Sequence, residues 1–229
     1  MIGSDKNKTI IETKNLVKTY IDKGVETRVL RGINMSVKKG EFVAIMGRSG
    51  AGKSTLLYQM SLLDNPTTGE IIIDGEGLAE ISDEERADFR LNRLGYVFQD
   101  YALIPELSAS ENLMAPLLMQ GYSFSDSAEK AKKVLTRIGL GERLNNLPSG
   151  LSGGEQQRVG VARAIVHKPD ILFADEPTAN LDTYSAKTVL DLFVELNREG
   201  QTIVMVTHEE EYGALADRII TLLDGQIVP

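Results

Sequence analysis

Two stretches near the start of the chain alternate apolar with polar residues. Ile10-Ile-Glu-Thr-Lys-Asn-Leu-Val-Lys-Thr-Tyr20 and Val29-Leu-Arg-Gly-Ile-Asn-Met-Ser-Val37 read as half-buried strands, because successive strand side chains point to opposite faces. With Gly69-Glu-Ile-Ile-Ile-Asp74 and its Asp74-Gly75 turn they predict an antiparallel sheet. Other runs are mostly apolar: Glu41 to Met46, Asp170 to Ala174, Thr202 to Val206 and Arg218 to Leu223. Short continuous runs of this kind suit a parallel sheet covered on both faces.

Between these runs the period lengthens to that of helices. Residues 83–93 predict a charged surface helix, and Leu94 to Phe98 a further strand leading into Gln99. Ser110 to Met119 and Ser125 to Ile138 predict two helices, the second opening on a serine cap and ending at Gly139. Residues 100 to about 160 therefore read as a helical subdomain inserted into an α/β core, within one domain spanning 9–229. The polar first eight residues are expected to fray.

Composition narrows the class. The 229 residues are 42% apolar and 25% charged, as in a globular protein with a sizeable core. No stretch reaches the roughly 18 apolar residues of a membrane span, and the N-terminus lacks the apolar core of a signal peptide. The absence of cysteine excludes disulfides and thiolate chemistry. A formal charge of −8, with no block of Lys or Arg, argues against nucleic acid as a partner.

The candidate chemistry starts at Gly47-Arg-Ser-Gly-Ala-Gly-Lys-Ser-Thr55, a G-x-x-x-x-G-K-[ST] phosphate loop directly after an apolar strand and before a helix. Gly47, Gly50 and Gly52 let the backbone approach phosphate oxygens closely, while Arg48, Ser49, Ala51 and Thr55 add backbone or hydroxyl groups around them. Lys53 brings a point charge to the β and γ phosphates, and the Ser54 hydroxyl is placed to ligate Mg²⁺. A second helix start, Leu151-Ser-Gly-Gly-Glu-Gln-Gln-Arg158, predicts another anion site with exposed backbone amides.

With both elements the chain resembles the ATP-binding subunits of ABC transporters over nearly its whole length. The resemblance implies a P-loop NTPase fold of ABC type: a mostly parallel core sheet, an N-terminal antiparallel β-subdomain and an inserted helical subdomain. It implies ATP and Mg²⁺ as ligands. It also implies an ATP-dependent homodimer in which Ser152, Gly153, Gly154 and Glu155 of one copy close over the γ-phosphate held by the other.

Further roles follow from the same resemblance. Asp175 matches the carboxylate that holds Mg²⁺ through water, and Glu176 the general base that polarises the attacking water. Gln99 matches the glutamine that senses Mg²⁺ and the γ-phosphate, and His208 the histidine that contacts the γ-phosphate. Asp182, in Asn180-Leu-Asp182, matches the loop that couples the two sites, although Ala179 stands where close relatives have Gly. Tyr20 sits where the family places the aromatic that stacks on adenine, and the glycine-containing loop expected after it would leave its ring face open. His167, in a turn before Lys168-Pro169, is an ordinary structural histidine.

The Tyr20 to Leu30 and Gln99 to Leu113 segments look like the lipoprotein-release and macrolide-efflux branch, with the cell-division ATPase as nearest sibling. That branch implies an integral-membrane permease partner, docked near Tyr101, Leu103 and Ile104, and a cytoplasmic location at the inner face of the cell membrane. A soluble ABC ATPase acting on DNA or ribosomes is the other class considered. Its members carry a long coiled-coil insertion or a second tandem half, and neither is visible here.

Overall fold

In the computed structural model, which describes residues 8–78 and 80–228, the elements follow one another as β1 (Thr9–Asp22), β2 (Val25–Lys38), β3 (Phe42–Met46), α1 (Lys53–Met60), β4 (Thr68–Ile73), β5 (Glu76–Gly77), α2 (Asp83–Arg93), β6 (Leu94–Val97), α3 (Ala109–Met119), α4 (Phe124–Arg137), α5 (Gly153–Ile165), β7 (Ile171–Asp175), α6 (Thr183–Arg198), β8 (Thr202–Val206), α7 (Glu210–Gly213), β9 (Arg218–Leu223) and β10 (Gln226–Val228). The chain divides into two compact units, one from residues up to 87 together with 197 onward, the other from 88–196. Of the eight residues expected to fray, 1–7 lie outside the described residues, and Lys8 is held, its carbonyl accepting from the Lys39 amide at 2.9 Å.

The first unit holds an antiparallel sheet in the order β2-β1-β4-β5. Its hairpin is longer than the sequence pattern indicates, since pairing runs on from Tyr20↔Thr27 to Asp22↔Val25 and leaves only Lys23 and Gly24 as the turn. The loop expected after Tyr20 is therefore two paired strands, and Tyr20 itself remains exposed. Both sides of that extension are exposed, so no apolar alternation marks it. Within the same unit β3 pairs in parallel with β8 on one side and β9 on the other. β3 and β8 are buried along nearly their whole length, as a strand covered on both faces must be.

β9 departs from the expectation of burial on both faces. Ile219 and Leu223 are 47% and 46% exposed, while Ile220 and Leu222 point inward. It continues through Asp224-Gly225 into β10, which pairs with it antiparallel.

In the second unit β6 and β7 pair in parallel, Leu94 to Val97 against Ile171 to Ala174. A cluster of Leu113, Met114 and Leu117 of α3, Ala131 and Leu135 of α4, and Val159 and Ala162 of α5 holds three helices together. Each begins on a serine. Ser108 and Ser152 form capping boxes with Glu111 and Glu155, and Ser123 caps α4. The cap of α4 is thus Ser123, two residues before the serine expected from the sequence. The helices share their unit with the β6–β7 pair, and Gly95 shows why: a Cβ there would stand 2.3 Å from the Ala164 carbonyl oxygen at the end of α5.

Candidate active site

The phosphate loop is a cradle with three glycines at positive φ, Gly47, Gly50 and Gly52. At Gly47 the reason is also steric, because a Cβ would lie 2.2 Å from the Leu222 carbonyl oxygen of β9. Gly52 starts α1 in the left-handed region, with no side chain capping the helix and no acidic residue in its first turn. The helices α3, α4 and α5 are closed by serines, whereas no side chain caps α1, whose N-terminal dipole favours an anion. Lys53 is buried, and its ammonium donates to the Gly47 and Arg48 carbonyls at 2.9 and 3.2 Å, inside the loop.

The loop rests on the turn between β9 and β10. The Gly225 amide donates to the Ala51 carbonyl at 3.1 Å, and the Gly225 carbonyl accepts from the Arg31 amide at 2.9 Å. A Cβ on Gly225 would meet the Val29 oxygen at 2.0 Å, so this approach also requires glycine. Sequence reasoning missed this seat, although Asp224-Gly225 is a hairpin signal. β10 itself is short and mostly exposed, which leaves no apolar pattern to read.

His208 follows β8 and reaches the same place. With Met46, Gly47, Arg48, Glu210, Ile219 and Thr221 it lines a cleft of roughly 650 Å³ at the mouth of the loop. Its Nε2 lies 3.3 Å from a Glu209 carboxylate oxygen. Tyr20 lies on β1 with its hydroxyl donating to Asp64 Oδ2 at 2.8 Å. Burial and the Asp64 hydrogen bond push its phenol up to about 12, while a hydrogen bond with Thr55, at the end of the phosphate loop, acts the other way.

The second unit carries the acidic pair. Asp175 ends β7 and is buried, with the Tyr96 hydroxyl 3.5 Å from its Oδ2. Glu176 follows in a left-handed conformation, φ 42, so the chain turns sharply between the two carboxylates.

Gln99 is exposed, on a segment fastened through its backbone. The Gln157 amide donates to the Phe98 carbonyl at 3.3 Å and Asn180 to the Gln99 carbonyl at 3.1 Å. The Arg163 guanidinium donates to the Tyr101 and Ala102 carbonyls at 3.1 and 2.6 Å. Asn112, wholly buried, pairs with both the amide and the carbonyl of Ile104. None of Asn112, Gln157 and Arg163 stands out in the sequence, because a helical polar residue looks the same whether its partner is water or a distant carbonyl. Leu103, expected on a docking surface, is partly buried against the helical cluster.

The glycine-rich start of α5 is more occupied than its sequence suggests. The Ser152 hydroxyl accepts from the Glu155 amide at 3.3 Å and the Glu155 carboxylate accepts from the Ser152 amide at 2.8 Å. That amide is the main reason the Glu155 carboxyl sits below the usual range. Of the amides expected to be exposed for an anion, two are thus engaged within the cap. Gly153 and Gly154 are tightly packed: a Cβ would stand 2.9 Å from the Tyr101 hydroxyl and 2.4 Å from the Ser185 hydroxyl, respectively. Ser185 in turn donates both its amide and its hydroxyl to Asp182, whose carboxyl is lowered first by that amide. Asp182 and Gly154 therefore meet through one serine.

Comparison with known proteins turns this geometry into an assignment. The ABC transporter family profile matches residues 30–179. The lipoprotein-releasing system ATP-binding protein LolD of Aquifex aeolicus is 46% identical over 96% of this chain and 96% of its own. The chain belongs to the ABC transporter family. It is an ATP-binding, ATP-hydrolysing cassette of that family. The macrolide export ATP-binding/permease protein MacB of Syntrophobacter fumaroxidans is also 46% identical, over 96% of this chain and 31% of its own length. Among solved structures, the ATP-binding cassette MJ0796, a dimer in a post-hydrolysis state bound to ADP and Pi, matches with a TM-score of 0.90. It is 38% identical over 96% of this chain and 97% of that one.

Proposed function

We propose that this cassette energises a separate membrane permease of the lipoprotein-release and macrolide-efflux type, by binding and hydrolysing MgATP between two copies of itself. The observation that carries the reading is the N-terminus of α1, capped by no side chain, behind a cradle of three positive-φ glycines in which Gly47 has no room for a Cβ, with a buried lysine held inside it. The names of the two relatives support the branch, and the ADP- and Pi-bound dimer of MJ0796 supports the pairing. No helix among the described residues is long and apolar enough to cross a membrane, and we place the protein at the inner membrane face through its permease.

The roles divide as follows. Gly47 to Thr55 hold the phosphates through amides, and Lys53 exchanges its two loop carbonyls for β and γ oxygens. Ser54, Asp175 and Gln99 would each offer an oxygen of the kind Mg²⁺ prefers, and the ion when bound would neutralise charge on the phosphates. Glu176 takes the proton from water as the water oxygen bonds to the γ-phosphorus and the bond to the ADP oxygen breaks. His208 steadies the γ-phosphate. Gly153 and Gly154, with Ser152, Glu155 and Asp182 around them, close the site from the second copy.

Glu176→Gln tests the reading. Turnover should fall by about 100-fold or more while ATP binding persists, since the cradle is untouched. Size-exclusion chromatography should then show an ATP-dependent dimer. A variant that stays monomeric at high ATP, or that hydrolyses at the wild-type rate, would count against it.

A further inference from the structure

Tyr20 is not a lone aromatic on a strand. Lys18, two residues earlier on the same face of β1, places its ammonium 4.7 Å from the Tyr20 ring centroid. That ammonium also donates to Asp64 Oδ1 at 2.7 Å and to the Asn65 carbonyl at 2.6 Å. The other carboxylate oxygen of Asp64 accepts the Tyr20 hydroxyl at 2.8 Å. One carboxylate thus holds both the cation that covers the ring and the phenol at its edge. The Asn65 amide adds a 2.7 Å bond to Asp64 Oδ1, fixing the carboxylate itself.

The arrangement has chemical consequences. Lys18 is 9% exposed, whereas Tyr20 is 40% exposed, so the cation is sheltered and the ring is not. An ammonium over one ring face draws electron density toward itself and leaves the other face better suited to an electron-rich heterocycle. With its hydroxyl committed to Asp64, the ring loses most of its freedom about χ1 and χ2 before any ligand arrives. A preset ring gives up less conformational entropy on stacking than a mobile one.

We propose that Lys18 and Asp64 are positioning residues for nucleobase recognition: they orient and polarise Tyr20 so that its open face receives the adenine ring. The inference rests on Tyr20 being the adenine-stacking residue. Neither partner touches phosphate in this scheme, so their effect belongs to the base alone. The same logic makes the Tyr20 hydroxyl an anchor to the protein, not a contact to the ligand.

Equilibrium binding of ADP and of inorganic pyrophosphate, both with Mg²⁺, separates the base from the phosphates without turnover. Lys18→Met and Asp64→Asn should each weaken ADP by about 3- to 10-fold and leave pyrophosphate unchanged. Tyr20→Phe, which keeps the ring and loses the anchor, should fall between wild type and Tyr20→Ala. If Tyr20→Ala weakens ADP while the Lys18 and Asp64 variants do not, the positioning role is overturned and adenine stacking stands. If Tyr20→Ala leaves ADP unchanged, stacking itself fails and the inference with it. Parallel loss of ADP and pyrophosphate, with a lowered unfolding temperature, would show a purely structural network and also overturn it. Should the Lys18 and Asp64 variants fail to fold, Tyr20→Phe decides alone: ADP affinity equal to wild type rejects the anchor.

Discussion

One methyl group at residue 47 would collide with a carbonyl of β9, and the neighbouring residues cannot yield because they are strand backbone. Gly47→Ala should therefore lift the loop from its seat and weaken ADP by more than about tenfold, a loss that calorimetric titration would read directly. His167 shows a different residue-scale effect. Its ring is held at Nε2 by the Leu94 carbonyl, so Nε2 carries the proton, while the buried Nδ1 finds no partner among the described residues. Burial lowers its pKa despite that hydrogen bond. Above about pH 6.5, where the unfolded histidine is neutral, the full stability is present. As pH falls below that value the unfolded chain takes up a proton that the folded chain resists, and stability declines until the folded pKa is passed. His167→Gln should remove this component. Thermal unfolding of the two proteins at about pH 7.5 and about pH 5.5 should show a smaller drop for the variant.

At the scale of elements, the segment after Gln99 is set by its fastenings more than by its own sequence. Tyr101 and Ala102 are both left-handed, φ 65 and 47, a conformation unfavourable for residues with a Cβ. Arg163 holds their carbonyls from α5. Arg163→Met should release that pair, raising amide exchange across 99–104 by about tenfold or more, since a charged hydrogen bond is worth roughly 1.5–3 kcal/mol. Leu135→Ala should instead cost about 2–5 kcal/mol of stability, because it empties space in the three-helix cluster. The helices, the buried strands and the phosphate loop are legible in the sequence because burial imposes a period and glycine marks close approach. The end of the first hairpin and β10 are not, because exposed pairing imposes no period. The capping box at Ser152 and Glu155 is legible as a spacing. Its consequence, two amides withdrawn from any ligand, becomes visible only in the bonds themselves.

For the whole molecule, the proposed pairing predicts complementation. Ser152→Arg blocks the surface one copy offers to its partner, and Lys53→Ala disables the cradle. Mixed in equal amounts, half of the dimers should carry one intact site, restoring at most about a quarter of wild-type ATPase where each parent has almost none. Absence of any recovered activity or dimer would weigh against a head-to-tail sandwich. The seat of the phosphate loop carries a further consequence, for biosynthesis. Gly47 leaves the ribosome early, yet the carbonyl beneath it belongs to Leu222, and the amide that ties Ala51 belongs to Gly225. A nascent chain halted before β9 has made every residue that touches phosphate in the loop and still lacks the strand they rest on. Such a chain, arrested on the ribosome, should fail to retain ADP, and the nucleotide should enter only once β9 and β10 fold beneath a loop made long before them.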